Sequence, residues 1–393
     1  MRKMKNSGIE WIGEIPSEWK VIKCKHLIEV KSGDAIRNEL LSSNGKYQVF
    51  GGGEILGYTD VYNANESNLL IGRVGARCGC VTRPFDKVFA TDNALVVIPK
   101  SNRNFLYYVL ISFDLNRLNT SNAQPLITSS KVKNITIPVP LVTTQQKIAD
   151  FLDKKCSEID SVISKTRETI EEYKKLKQSI ITEVVTGKVK IENGKVCGKY
   201  DTYKDSGVEW IGEIPSEWSV CQIKRFAKLY NGKEIENEVI KSDYAIDVYG
   251  SGGVFKYTTN YLYDGEAVLF GRKGSIGKPL IVDGKFWTVD TMYFSTCKQE
   301  LTMNKFLFYL LKIFPWDVYT TKTALPSIVG SEIFNSFVPV PPLNSQLSLI
   351  TFLDKKCSEI DALITKKEQL VVELETYKKS LIYEVVTGKR SVI

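Results

Sequence analysis

The chain has one histidine, His26, in 393 residues. A histidine base, triad or metal site would have to rest on that single side chain. The chain repeats itself, as shown below, and the position matching His26 is Arg225, so such a site would exist in one copy only. A structural role, on a helix face or partly buried, is expected instead. Cysteine is also sparse. Its eight residues are scattered, and only Cys78 and Cys80 lie close together, with a spacing poor for a disulfide or a zinc knuckle. Reduced thiols are expected, and no cluster of Cys, His and acidic residues has metal-ligand spacing. No run approaches the roughly 18 apolar residues of a membrane span, and Met1 to Trp11 lacks an apolar signal core. A cytoplasmic location is expected.

Nucleotide-binding and methyl-transfer motifs are missing as well. Gly271-Arg-Lys-Gly-Ser-Ile-Gly-Lys278 superficially resembles a phosphate loop, but its glycine spacing is wrong and Pro279 follows the lysine. The matching stretch, Gly72-Arg-Val-Gly-Ala-Arg-Cys-Gly79, has no terminal lysine. Val340-Pro-Pro-Leu343 has valine where an adenine-methylation motif needs a polar residue. No catalytic residue is therefore assigned.

What is present is ample core and a modest cationic excess. Hydrophobic residues make up 43% and charged residues 25%, which suits two folded domains rather than a disordered chain. The net charge of +8 favours a polyanionic partner without requiring one.

Ser7-Gly-Ile-Glu-Trp-Ile-Gly-Glu-Ile-Pro-Ser-Glu-Trp19 returns 199 residues later as Ser206 to Trp218 with one change. Phe151 to Asp160 returns unaltered as Phe352 to Asp361, and Glu183-Val-Val-Thr-Gly-Lys188 returns as Glu384 to Lys389, both 201 residues on. The ends of the module match and the interior does not. Two copies of one fold with divergent interiors follow.

From Ile148 a stripe recurs in steps of three and four through Leu152, Cys156, Ile159, Ile163, Thr166, Ile170, Tyr173, Ile180 and Val184, with Lys177 filling one gap. Leu349, Leu353, Cys357, Ile360, Ile364, Val371, Leu374, Leu381 and Val385 repeat the rhythm. Each stretch predicts a helix of about 38 residues, roughly 57 Å long, ending at Gly187 or Gly388. Two such stripes can pair as an intramolecular antiparallel coiled coil, with Val189 to Asp205 as a flexible return. Packing of each helix on its own globule is the plainer alternative.

The segments before the helices combine short β-rich runs, Lys46 to Phe50, Asn68 to Ile71, Ala94 to Ile98 and Ala267 to Phe270, with one helix each, near Asn104 to Leu115 and Asn304 to Phe314. Pro138-Val-Pro140 and Pro339-Val-Pro-Pro342 predict stiff extended hinges. The fold class is thus α+β: two mixed α/β domains alternating with two long helices. The expected divisions are 1–143 and 206–343 for the globules, 144–188 and 344–393 for the helical regions, and 189–205 for the linker.

Both Gly-rich turns carry cations, Arg73 and Arg77 in one and Arg272, Lys273 and Lys278 in the other. Such turns let backbone amides and guanidinium groups approach an anionic backbone. Asn93 and Thr291, soon after, either shape the loop or touch bases. Tyr58, Tyr62, Tyr257, Tyr261 and Tyr263 lie near loops, where packing is the commoner role than stacking on bases.

Together these motifs resemble, over essentially the whole chain, the specificity subunit of Type I restriction-modification enzymes. Gly8 to Trp19, the Pro138-Val-Pro140 hinge with Gln145, Gln146, Ile148 and Ala149, Phe151-Leu-Asp153 and Glu183 to Gly187 carry the likeness, twice and in the family's order. Asn344-Ser-Gln-Leu347 departs from the run of two glutamines. The resemblance implies a non-catalytic subunit whose two target-recognition domains read the halves of a split DNA sequence. Its helices set the spacing and dock two modification subunits, with restriction subunits in the full complex, and S-adenosylmethionine and ATP belong to those partners. Antiparallel helices would give approximate two-fold symmetry and half-sites one to one and a half DNA turns apart. The rival reading is a coiled-coil adaptor whose globules bind proteins.

Overall fold

The computed structural model describes residues 2–118, 125–323 and 325–392. It divides into two units that do not follow the order of the chain. One comprises residues 1–167 with 368–393, the other 168–367.

In the first unit, strands Ile28–Ser32, Ala94–Pro99, Leu69–Gly72 and Val81–Thr82 form a four-stranded antiparallel sheet in that order. A second sheet orders Glu54–Thr59, Tyr47–Gly51 and Val88–Ala90, the last pair parallel. Alternation along the central strands explains why they are apolar throughout. Leu69, Ile71, Leu95 and Val97 join the main core, whereas Leu70, Ala94 and Val96 join a smaller one with Phe50 and Val88. Helix Arg103–Phe113 opens where Asn102 Oδ1 accepts from Phe105 N at 2.8 Å, and its apolar face enters the main core.

The second unit repeats this plan. A four-stranded sheet orders Ala227–Asn231, Met292–Cys297, Ala267–Gly271 and Leu280–Val282, and helix Asn304–Ile313 packs on it. Its other sheet has five strands, adding Glu238–Val239 and Tyr263–Asp264 at the edges.

The long helices are Val142–Val185 and Leu343–Val386, 44 residues each against the expected 38 or so. In the first unit, Ile148, Leu152, Cys156, Ile159 and Ile163 share a core with Val371, Leu381, Ile382 and Val385. Asp160 pairs with Lys378 and Arg167 with Glu375, so numbers rise on one helix as they fall on the other. The pairing is antiparallel. In the second unit Ile170 packs with Ile360 and Ile364, Lys177 pairs with Asp361, and Leu349 and Leu353 enter the main core. Both expectations therefore hold locally, because each stripe serves its own globule at one end and the other helix further along.

Two expectations are corrected. Val189 to Asp205 is folded rather than a loose return: Ile191–Glu192 pairs with Lys195–Val196, Ile191 is buried, Tyr200 meets Trp218 edge-on at 5.9 Å, and Tyr203–Asp205 pairs with Glu213–Pro215. Its polar composition hid two apolar anchors. The proline segments are paired strands, not free hinges. Thr136–Val139 pairs with Lys20–Lys23, and Phe337–Val340 with Ser219–Gln222, in two-stranded sheets where a proline lacking N–H fits at an edge.

The matched ends of the module prove to be two sides of one contact. Gly187 (φ +72°) lies so close to Pro215 that a Cβ would sit 2.4 Å from the proline Cδ, with Trp218 beyond. Gly388 (φ +74°) meets Pro16 and Trp19 in the same way. Each glycine stops its helix in the left-handed conformation and leaves room for the ring. Gly388→Ala should destabilise the first unit by about 2–4 kcal/mol, from left-handed strain plus overpacking. A denaturant midpoint unchanged from wild type would refute this contact.

Candidate nucleic-acid interface

Each cationic turn is built by backbone crowding before any side chain is considered. Strand Leu69–Gly72 leaves the sheet into the turn, and Gly79 N donates to Gly72 O at 2.8 Å. A Cβ at Gly72 would lie 2.8 Å from Arg77 O, and one at Gly271 2.6 Å from Ser275 O. These glycines are required by the turn itself, which explains the decoy resemblance to a phosphate loop.

The sequence candidates converge in part. Asn93 O accepts from both Arg73 N (2.9 Å) and Gly52 N (3.1 Å), placing Asn93 at the root of the turn. Thr291 O accepts from Arg272 N (2.8 Å) and Lys273 N (3.3 Å) in the second unit. Arg73 Nη1 reaches Ser32 Oγ at 3.3 Å and Asp92 O at 3.4 Å, both weak, and the Arg272 guanidinium lies 5.6 Å over the Tyr293 ring. Arg77, Lys273 and Lys278 are exposed, but Lys278 stands at the far end of its turn, beyond Gly277 and Trp316. Among the described residues, none of these five cations forms an ion pair, whereas Arg83, Arg167, Lys177, Lys305 and Lys378 all do.

Three features escaped the sequence reading. The glycine-rich hairpin tips, Gly51-Gly-Gly53 and Gly250-Ser-Gly-Gly253, abut the cationic turns: a Cβ at Gly53 would lie 2.7 Å from Arg77 Cβ, and one at Gly271 3.3 Å from Ser251 Cβ. Their signal was glycine recurring at the same 199-residue offset. A later segment closes each turn, as Ile127 N donates to Arg73 O and Ile328 N to Arg272 O, both at 3.0 Å.

The third is a polar lock between globule and helix. Asp153 accepts from Arg83 Nη1 (2.6 Å), Tyr108 OH (2.7 Å) and Asn104 Nδ2 (3.0 Å), and Asp354 from Lys305 Nζ and Tyr309 OH, both at 2.7 Å. Burial, then the bond to the carboxylate, pushes both tyrosine hydroxyls far above their ordinary range. They stay protonated donors, fixing helices Arg103–Phe113 and Asn304–Ile313 on the long helices. The departure at Asn344 to Leu347 does not disturb the junction. Gln346, like Gln145, is buried, with its Nε2 donating to a proline carbonyl five residues back.

The remaining candidates are structural or apart from the turns. Ile148, Leu152, Ile159, Ile163, Ile170, Leu349, Leu353, Ile360, Ile364 and Val371 are all buried within their units, so none of them presents a free face to a partner. Tyr263 packs on Phe286 and Phe294, while Tyr62 stays near the surface against Tyr47 with Lys87 over its ring. His26 is exposed at the end of a short 3-10 helix, not half-buried. Among the described residues, no helix is long and apolar enough to cross a membrane.

Comparison with known proteins adds a family. The family model described as the Type I restriction modification DNA specificity domain matches residues 16–172 and 215–373, one match in each copy. The chain is 36% identical over 110 residues to the Type I restriction enzyme EcoprrI specificity subunit of Escherichia coli, covering 28% of this chain and 27% of that one. It is 24% identical over 420 residues to the putative type I restriction enzyme MjaX specificity subunit of Methanocaldococcus jannaschii, covering 93% and 92%. The chain thus spans about a quarter of one relative and nearly all of the other. A chain from a structure described as the structural basis underlying complex assembly and conformational transition of the type I R-M system shares the fold, with TM-score 0.71 at 13% identity over 96% of this chain and 99% of that one.

Proposed function

This chain belongs to the Type I restriction modification DNA specificity domain family, and from that premise we propose that it is the sequence-reading subunit of a Type I restriction-modification enzyme. Each globule reads one half of a split target in duplex DNA, and the long helices set the half-site spacing and dock two modification subunits. Methyl transfer with S-adenosylmethionine and ATP-driven cleavage belong to those and to restriction subunits, in the cytoplasm. The observation that carries this reading is the recurrence, in both units, of unpaired cations on a glycine-built turn beside a glycine hairpin tip. Phosphates are the natural counter-charge for such cations, and a close-approaching backbone suits a polyanion.

The test is selection from a randomised duplex library by the full chain assembled with its modification subunit. A split motif with two unequal halves is expected. No enrichment would overturn the proposal, and binding insensitive to salt would favour a protein-binding adaptor instead.

A further inference from the structure

The hairpins that abut the cationic turns expose apolar side chains where a solvated loop would carry polar ones. Ile55 and Leu56 are 51% and 49% exposed, and Val254 and Phe255, at the same positions of the second unit, 40% and 54%. Isolated exposed hydrophobics are common and need no explanation. Here the same two positions are apolar and exposed in both copies, beside cations that form no ion pair among the described residues.

The local backbone holds these side chains in place. Strands Tyr47–Gly51 and Glu54–Thr59 pair with an irregularity between Val49 and Phe50, and Ile246–Gly250 and Gly253–Thr258 with one between Val248 and Tyr249. Such a bulge bends and twists a ribbon. Gly51 leaves space beneath Leu56, since a Cβ there would lie 2.6 Å from Leu56 Cδ1 and 2.6 Å from Thr91 Oγ1. Gly250 does the same for Phe255, whose Cδ1 would lie 3.2 Å away. The apolar group lies across its own hairpin with its outer side free.

Charge complementarity identifies the occupant. The cations beside each hairpin suit phosphates, so the surface between them faces the groove. The major groove of B-DNA admits a two-stranded β-ribbon, and its one apolar feature is the thymine 5-methyl group. Each turn carries cations, with Arg73 and Arg272 at the same position of the two copies, while the apolar pair changes from Ile-Leu to Val-Phe. That is the division expected between phosphate contacts, which position, and base contacts, which discriminate.

Resting on the DNA-reading function above, we infer that each hairpin enters the major groove of its half-site, and that Ile55 and Leu56 in one unit, and Val254 and Phe255 in the other, recognise A·T pairs through the thymine methyl. The experiment uses the full chain assembled with its modification subunit and the duplex enriched from the randomised library, with uracil replacing each thymine in turn. Uracil lacks only the methyl, so wild-type affinity should fall about fourfold at a contacted position, the worth of one buried carbon group. The I55A/L56A variant should lose that sensitivity in one half-site only, leaving the other half as internal control. The I55V/L56F variant, which carries the second unit's pair, should fold as wild type and shift the preference of the same half.

Uracil tolerated at every position, an enriched site without A·T pairs, or equal weakening of both halves would overturn the inference. Equal weakening would make the hairpin a packing element. Failure of the wild-type complex to enrich any sequence would instead sink the DNA-reading function itself.

Discussion

Ile163→Pro should lower the stability of the first unit by about 3 kcal/mol or more and uncouple the two half-sites. The residue lies within the Val142–Val185 helix and is buried with Val371 and Ile382 in one core. Proline removes the hydrogen bond to the carbonyl of Ile159 and drives its ring into that turn. For a cooperative unit of this size the melting midpoint should fall by roughly 6–12 °C. The interhelical ion pairs of Asp160 with Lys378 and Arg167 with Glu375 flank the site, and exposed pairs of this kind are worth too little to compensate. Bound to DNA, the variant should still prefer each half-site but accept altered spacing between them. Wild-type spacing selectivity, read from libraries that vary the gap, would contradict the role given to the helices.

Removing the unpaired cations should have the larger effect on binding. In the variant Arg73→Ala, Arg77→Ala, Arg272→Ala, Lys273→Ala, the slope of log affinity against log salt should fall by about 3 to 4, one phosphate contact per cation. Wild type would then lose about a hundredfold more affinity than the variant between 50 and 200 mM salt, by the same relation. The preferred sequence should not change, because phosphates carry no sequence information. These side chains lie in exposed or half-exposed turns without ion-pair partners among the described residues, so the fold should survive. An unaltered salt slope would show that the cations do not face DNA.

Sequence exposed the frame of this protein better than its interface. The Pro-Ser-Glu-Trp and Val-Val-Thr-Gly motifs were legible because each is half of the same contact and occurs twice. That they touch each other was not legible, since Gly388 meets Pro16 and Trp19 from the opposite end of the chain. The interleaving of the units was invisible for the same reason. Central strands such as Leu69–Gly72 and Ala94–Pro99 were readable because both of their faces are buried. The proline strands read as extended but not as paired, because pairing depends on a partner more than 100 residues away.

At the interface, composition located the cations but not their neighbours. Asp153 stands out in the sequence only as part of the repeated Phe151-Leu-Asp153 motif, and only the fold brings Arg83 and Tyr108 to it. Ile55 and Leu56 lie outside the β-rich runs that the sequence marks, and their exposure becomes evident only in the fold, where their strand takes the edge of its sheet.

Methylome sequencing of the host, with and without this gene, tests most directly whether the chain carries two different recognition domains in one frame. A methylated motif of two unequal halves separated by a fixed gap should disappear with the gene. A methylome that does not change, or a lost motif whose halves are identical, would contradict it.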